Sequence, residues 1–383
     1  MKLEPITGDD PRDVLRALRG ALNGGAPALG LGLVSDLPAT VRDGTAAVVT
    51  TSGSTGIPKS VVLSADALTA SAHATADRIG EGAWLLALPA SYVAGLQVLV
   101  RSLLADREPA VLSGPFTPAA FTEAALEVQD RHAGTRPATY TSLVPAQLSR
   151  LLDAAPDDPR LRAALRSFEA ILVGGQALPP ATLERAEDLG ARIVRTYGST
   201  ETSGGCVYDG VPLRAVTVRV ERGEVQVSGP QLADGYLGDR EGTDAVFVRE
   251  GGTRWYRTGD AGILEDGVLR VRGRLDNVIV SGGVNISLDR VERVVRSIPG
   301  LAGAVVIGVP DARWGEASVV VATRGEALRR SESVQLEEAR KAVGAEVGSH
   351  ARPARLVLVD ELATLPSGKP DREAIRRAVA ALR

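Results

Sequence analysis

The sequence predicts an α/β protein: a large N-terminal domain of mixed β-sheets layered with helices, a β-rich subdomain, and a small C-terminal α+β domain. Three observations carry this expectation. Short apolar runs such as 46–49, 84–88 and 170–173 alternate with longer helical patterns, as expected for a sheet covered by helices. Short alternating strands (216–220, 224–227, 269–271) then dominate from 216 to 271. Beyond residue 276 a helical pattern at 288–298 is followed by apolar runs at 304–311 and 318–322.

Composition fits this class. The 383 residues are 44% hydrophobic and 24% charged, ordinary values for a globular protein with a large core. Aromatics make up only 3%, so aliphatic side chains must fill that core. A net charge of −3 gives no global electrostatic case for nucleic acid or an anionic membrane surface. One cysteine, Cys206, excludes an internal disulfide framework and suits a reducing compartment. No apolar run reaches membrane-spanning length and the N-terminus lacks a signal-peptide pattern, so the expected location is the cytoplasm.

In chain order, 9–22 reads as a helix with Pro11 in its first turn and Val14, Leu15, Leu18 and Leu22 on one face. A Gly/Pro-rich connection follows. Next comes Thr50-Thr51-Ser52-Gly53-Ser54-Thr55-Gly56-Ile57-Pro58-Lys59-Ser60, between apolar runs that read as strands. Glycines let a backbone wrap an anion, hydroxyls add donors, and Lys59 adds a mobile charge. The alternative is a polar turn without a ligand. The stretch is not a Walker loop: Pro58 stands where the second glycine belongs, and a strand follows instead of a helix. The helix comes later, over 65–78, with Ser64 as its N-cap.

The strand 84–89 leads into Tyr92 and an apolar helix at 96–104 that carries Arg101. By itself Tyr92 reads as core packing; Arg101 either meets a carboxylate or is a solvated charge. The run 139–148 is a strand, with Ser142, then a helix opened by Pro145. Ala170 to Val173 is a buried strand ending at Gly174-Gly175-Gln176. Thr196-Tyr197-Gly198-Ser199-Thr200-Glu201 follows another strand, and Trp255-Tyr256-Arg257-Thr258-Gly259-Asp260 ends in a carboxylate at a glycine turn. Alone, Glu201 could be a loop charge and Asp260 a turn residue. Cys206 has no nearby histidine and reads as packing.

Taken together and in this order, these motifs resemble the adenylate-forming superfamily of acyl-CoA synthetases, peptide-synthetase adenylation domains and luciferases. The phosphate loop matches [ST]-[SG]-G-[ST]-T-G-x-P-K-G, with Ser60 for the final glycine. Gly273-Arg274-Leu275-Asp276-Asn277 resembles the interdomain hinge, and Ser281-Gly282-Gly283 the glycine loop after it. Leu365-Pro366-Ser367-Gly368-Lys369 matches the motif of the catalytic lysine with a shortened spacer. The resemblance covers 46 to the C-terminus, after an N-terminal subdomain shorter than usual. The runs 139–148 and 203–213 are similar to the o-succinylbenzoate–CoA ligases of menaquinone biosynthesis in particular.

The resemblance implies a fold of residues 1–275, binding ATP and the acid, and a mobile C-terminal domain of residues 276–383 that turns about Asp276. It implies ATP, Mg²⁺ and CoA as ligands, a small carboxylic acid as substrate, and is compatible with a homodimer. Thr51, Ser52, Gly53, Ser54, Thr55, Gly56 and Lys59 would hold the β- and γ-phosphates. Gly174, Gly175, Gln176, Tyr197, Gly198 and Ser199 would surround the adenine, and Asp260 and Arg274 would bind the rest of the nucleoside. Thr200 would bond the α-phosphate, Glu201 would hold Mg²⁺, and Lys369 would catalyse adenylation. Gly282 and Gly283 would then face CoA, while Tyr92, Arg101 and Ser142 would line the acid pocket. Two rivals remain: a CoA ligase for a different acid, and a nucleotide-binding regulator without turnover. A peptide-synthetase adenylation domain fits less well, since no amine-binding aspartate is evident near Leu172.

Overall fold

The computed structural model describes residues 1–6, 10–32, 38–51, 58–130, 137–324, 331–365 and 368–382. Its centre is a seven-stranded sheet. Five strands run parallel: Ile193–Ser199, Ala170–Val173, Thr139–Leu143, Ala83–Leu86 and Ala110–Val111. The antiparallel strands Gly204–Tyr208 and Val211–Pro212 extend it beyond Ile193–Ser199.

Both faces of the parallel part are covered, and the two-residue period of the strands sorts their side chains. Ala83 and Leu85 point into one core, with Phe121, Leu148, Leu151 and Leu165 from the helices beneath and Phe168 just after one of them. Trp84 and Leu86 point into the other. In this second core lie helices α1 (Pro11–Leu22), α2 (Ala65–Ile79) and α3 (Val93–Leu104).

The far side of these helices is closed by a second sheet, in the order Leu3–Pro5, Ala28–Leu31, Thr45–Thr51, Lys59–Ser64 and Gly235–Tyr236. Its first two strands fall where the sequence reads as a terminus and a connection. Asp10 caps α1 by accepting from Arg12 N at 2.9 Å, so the helix begins at Pro11, two residues later than expected. Ser64 caps α2 as expected. The third helix, α3, starts at Val93, three residues before the sequence expectation. Its cap, Tyr92, makes no side-chain bond to the helix, so no polar signal marks this start.

Thr217–Glu221, Glu224–Ser228, Phe247–Glu250 and Val268–Arg274 form an antiparallel sheet built on the long strand Thr253–Glu265. A fourth sheet takes Val278–Ser281, Val284–Ser287, Val305–Asp311, Gly315–Thr323 and Arg355–Val359, with hydrophobic clusters drawn from residues 279 onward. Between these two sheets, Arg274 N and Asn277 Nδ2 both donate to the carboxylate of Asp289, each at 2.7 Å.

Candidate active site

The parallel strands end on one side of the central sheet, where a doubly covered α/β sheet offers its crevice. Ser142 is buried in strand Thr139–Leu143, opposite Leu172 of the next strand. Gly174 and Gly175 follow strand Ala170–Val173. A Cβ on Gly174 would stand 2.2 Å from Thr196 Oγ1, so the backbone passes where no side chain fits. Gly175 has φ +82° and Gln176 is half-buried beside it.

The residues expected to meet the nucleoside form a connected polar network. Tyr197 donates to Asp260 Oδ2 at 2.6 Å. Arg274 reaches Asp260 Oδ1 at 3.4 Å and the carbonyl of Thr258 at 2.8 Å, and grips both oxygens of Asp276 at 3.0 Å. Burial raises the pKa of Asp260 against the pull of Tyr197 and Arg274. Arg274 holds Asp276 below the usual carboxylate range. Gly198 and Ser199 end the strand that carries Tyr197, and Thr200 is buried at the turn after it.

The segment expected to hold the phosphates is framed by two strands paired with Thr51 opposite Lys59. The segment between them therefore connects strand to antiparallel strand, as Pro58 predicts. Ser52, Gly53, Ser54, Thr55 and Gly56 lie outside the described residues. Thr51 Oγ1 donates to the carbonyl of Lys59 at 3.3 Å. Lys59 Nζ sits 4.7 Å from the ring centroid of Tyr236, and the hydroxyl of Tyr236 donates to Glu201 Oε1 at 2.9 Å. Among the described residues no group of three or more His, Cys, Asp or Glu side chains could hold a metal. A cation at Glu201 would take its remaining ligands from phosphate and water, which suits Mg²⁺.

Lys369 comes to this cleft from the C-terminal part of the chain. Leu365 N donates to the carbonyl of Lys369 at 2.7 Å, and Gly368 N donates to the carbonyl of Leu365 at 2.8 Å. Gly368 and Lys369 pack on the end of the central sheet. Lys369 Cε would be 3.3 Å from a Cβ on Gly175, and Val144 Cγ2 would be 3.2 Å from one on Gly368. Lys369 keeps solvent-open surface at the cleft mouth, yet desolvation of its ammonium lowers the pKa, opposed by Glu201 and Asp260. Gly282 and Gly283 are exposed. Gly282 lies against Trp314, itself 43% exposed, and a Cβ on Gly283 would meet nothing within 4 Å.

Arg101 is not a solvated helix charge. It is only 7% exposed, because α3 is buried from Gly95 to Ser102 between the sheets. Its guanidinium lies 4.9 Å from the Trp84 ring centroid and donates to Thr75 Oγ1 at 3.2 Å and Tyr208 Oη at 3.4 Å. Those two hydroxyls already bond each other at 2.9 Å. No carboxylate pairs with Arg101 among the described residues, its Nε has no partner, and burial lowers its pKa. Tyr92 is half-buried at the start of the same helix, where burial raises the phenol pKa.

Between Tyr92 and Arg101 the helix presents Gln97, one turn before the arginine. Gln97 Cγ is 3.2 Å from the Cβ position of Gly204, just beyond the Thr200-Glu201 turn. Gln97 Nε2 donates to the carbonyl of Leu68, but Gln97 Oε1 and the neighbouring Ser203 Oγ are buried without a partner. Three side chains around these residues carry no sequence motif: Gln97, Tyr236 and Asp289. Only Gln97 left a signal, as a polar residue four positions before Arg101 in an otherwise apolar helix.

Known proteins match this arrangement. The model of the AMP-binding enzyme family matches residues 27–237, and that of the AMP-binding enzyme C-terminal domain matches residues 290–369. The chain belongs to the AMP-binding enzyme family. It accordingly has the adenylate-forming fold and binds an adenine nucleotide. A relative named probable 2-succinylbenzoate–CoA ligase, from Mycobacterium tuberculosis, is 40% identical over 347 residues, covering 89% of this chain and 86% of the relative. The o-succinylbenzoate CoA synthetase of Bacillus subtilis, solved with its acyl-adenylate intermediate, superposes with a TM-score of 0.71 at 26% identity. The match covers 95% of this chain and 80% of that one. The amide bond synthetase of Marinactinospora thermotolerans superposes with a TM-score of 0.73 at 26% identity, over 98% and 79% of the two chains. No described helix is long and apolar enough to cross a membrane.

Proposed function

We propose that this AMP-binding enzyme is an ATP-dependent 2-succinylbenzoate–CoA ligase serving menaquinone biosynthesis in the cytoplasm. One observation carries the choice of acid: Arg101 is a buried cation with no acidic partner among the described residues. An uncompensated charge in an apolar helix is costly, and a ligand carboxylate would offset that cost. 2-Succinylbenzoate has two carboxylates. The succinyl one reacts, and the ring carboxylate is left for Arg101. The spacing suits this, since Arg101 lies about 6 Å along the axis beyond Gln97, the residue touching Gly204. Relatives and solved structures named for this acid support the same reading.

In the first half-reaction the succinyl carboxylate oxygen attacks the α-phosphorus of ATP and pyrophosphate leaves. Catalysis here is positioning and charge neutralisation. Lys59 and the loop Ser52–Gly56 would hold the β- and γ-phosphates. Thr200 and Lys369 would meet the α-phosphate, and Asp260 would take the ribose hydroxyls. Glu201 would hold Mg²⁺, which when bound neutralises phosphate charge. The proximity of Lys369 to Gly175 supports a role in this step.

In the second half-reaction the CoA thiolate attacks the acyl carbonyl and AMP leaves. The domain boundary is placed at Asp276, between 1–275 and 276–383. Rotation there would withdraw Lys369 and bring Gly282, Gly283 and the exposed Trp314 towards CoA. Asp276 suits a pivot because, among the described residues, its carboxylate bonds to Arg274, two residues away.

The test is pyrophosphate release across a panel of acids. 2-Succinylbenzoate should exceed monocarboxylic analogues in kcat/KM by at least tenfold. A better simple acyl or aryl acid would assign the enzyme to another pathway. No ATP–pyrophosphate exchange with any acid would favour a non-catalytic nucleotide binder.

A further inference from the structure

The strand Gly235–Tyr236 pairs with Lys59–Ser64 at the edge of its sheet, with Tyr236 opposite Val61. Main-chain bonds fix this segment on both sides. Ala233 N donates to the carbonyl of Glu201, Asp234 N to that of Val62, and Leu237 N to that of Ser60. Tyr236 is thereby held between the strand that follows the phosphate loop and the turn that carries Glu201.

Its side chain touches the functional group of each. The hydroxyl donates to Glu201 Oε1 at 2.9 Å, and the ring face carries Lys59 Nζ at 4.7 Å from its centroid. The ring is 8% exposed and meets Phe247 edge-on at 6.2 Å, so it has little room to turn. A carboxylate with one oxygen fixed by a hydroxyl has its other oxygen oriented for a cation. An ammonium on a ring face is held without a counter-anion, and a triphosphate can draw it off.

We propose that Tyr236 is a positioning residue for nucleotide binding: its hydroxyl orients Glu201 for Mg²⁺, and its ring holds Lys59 facing the phosphate site. This rests on the reading of Glu201 as the Mg²⁺ ligand. Packing alone does not account for the arrangement, since one side chain joins the two groups expected to meet the metal and the phosphates.

The test is equilibrium binding of a non-hydrolysable ATP analogue to the full chain, titrated with Mg²⁺ and repeated in EDTA. Tyr236→Phe keeps the ring and removes the hydroxyl. It should raise the Mg²⁺ concentration for half-maximal effect by roughly tenfold or more, with affinity in EDTA unchanged. Tyr236→Leu removes both contacts and should also weaken the triphosphate analogue in EDTA, while AMP binds as in the wild type. Wild-type Mg²⁺ dependence in Tyr236→Phe, beside a clear shift in Glu201→Gln, would overturn the positioning role, whatever the melting temperature does. Wild-type Mg²⁺ dependence in Glu201→Gln would remove the metal reading of Glu201 and the inference with it.

Discussion

Replacing Arg101 by methionine separates a ligand-binding arginine from a structural one, because the two roles move stability and KM in different directions. The guanidinium is 7% exposed and has no carboxylate partner among the described residues. Its two hydroxyl partners, Thr75 and Tyr208, bond each other at 2.9 Å and stay satisfied without it. Methionine fills much of the volume beside Trp84 and removes an unpaired buried charge, so the melting temperature should hold or rise. Binding should suffer instead. A charge-assisted bond of about 1.5–3 kcal/mol corresponds to a rise of roughly 10- to 150-fold in KM for 2-succinylbenzoate. KM for ATP should change little.

The control is 4-oxo-4-phenylbutanoate, which lacks only the ring carboxylate. Wild type and variant should handle it with similar kcat/KM, so the coupling appears only when both charges are present. The assay is pyrophosphate release under saturating ATP, with thermal melting of the same samples. An unchanged KM for the dicarboxylate, or an equal loss on both acids with a lower melting temperature, would refute the reasoning.

Three further outcomes follow from the same geometry. Lys369→Ala should slow adenylation by orders of magnitude, because Lys369 sits on the Gly175 turn with Glu201 and Asp260. Thioester formation from a supplied acyl-adenylate should be nearly intact, and equal losses in the two half-reactions would contradict the two-orientation scheme. Asp276→Pro should permit adenylate formation and block transfer to CoA, since proline fixes φ. Because Asp276 also grips Arg274, Asp276→Ala must be run beside it, and transfer should survive in the alanine variant. Burial pushes the Cys206 thiol up to about 12, which leaves about 10⁻⁴ of it as thiolate at pH 8. Cys206 should resist a thiol reagent in the native protein and react at once in denaturant. Rapid native labelling would mean the helix–sheet interface opens.

The parts of the fold legible in the sequence are those where one residue type is physically required. Ser64 caps α2 and Pro58 forbids a Walker loop. Gly174 marks a close approach where a Cβ would stand 2.2 Å from Thr196 Oγ1 and cannot fit. Tyr197, Asp260, Arg274 and Lys369 could each be named from short motifs, and the structure joins the first three in one network. The strands Leu3–Pro5 and Ala28–Leu31 left no such mark. They are three and four residues long, their flanks are rich in Gly and Pro, and their pairing partners lie elsewhere in the chain. Tyr236 and Asp289 were invisible for the same reason. Each acts through a contact of long sequence separation, Tyr236 with Glu201 thirty-five residues away and Asp289 with Arg274 fifteen away.

The helix α3 joins these two kinds of evidence. Its sequence is almost wholly apolar, as a helix buried on every side should be, and the structure buries it. Gln97 and Arg101 break that rule one turn apart, each with a polar atom left without a partner. Two such breaks on one face of a core helix should not persist for stability, because each polar group leaves water without full compensation. They make sense if something arriving from outside completes them. Gln97 lies against Gly204 beside the Thr200-Glu201 turn, and Arg101 lies one turn deeper, beside Tyr208. Under the proposed function the acid would be specified along the axis of a helix whose own stability would be better served by leucine at both positions. Substituting both by leucine should therefore raise the melting temperature while abolishing discrimination between 2-succinylbenzoate and its monocarboxylic analogue. A double variant that melts lower and still discriminates would show that these polar groups serve the fold instead.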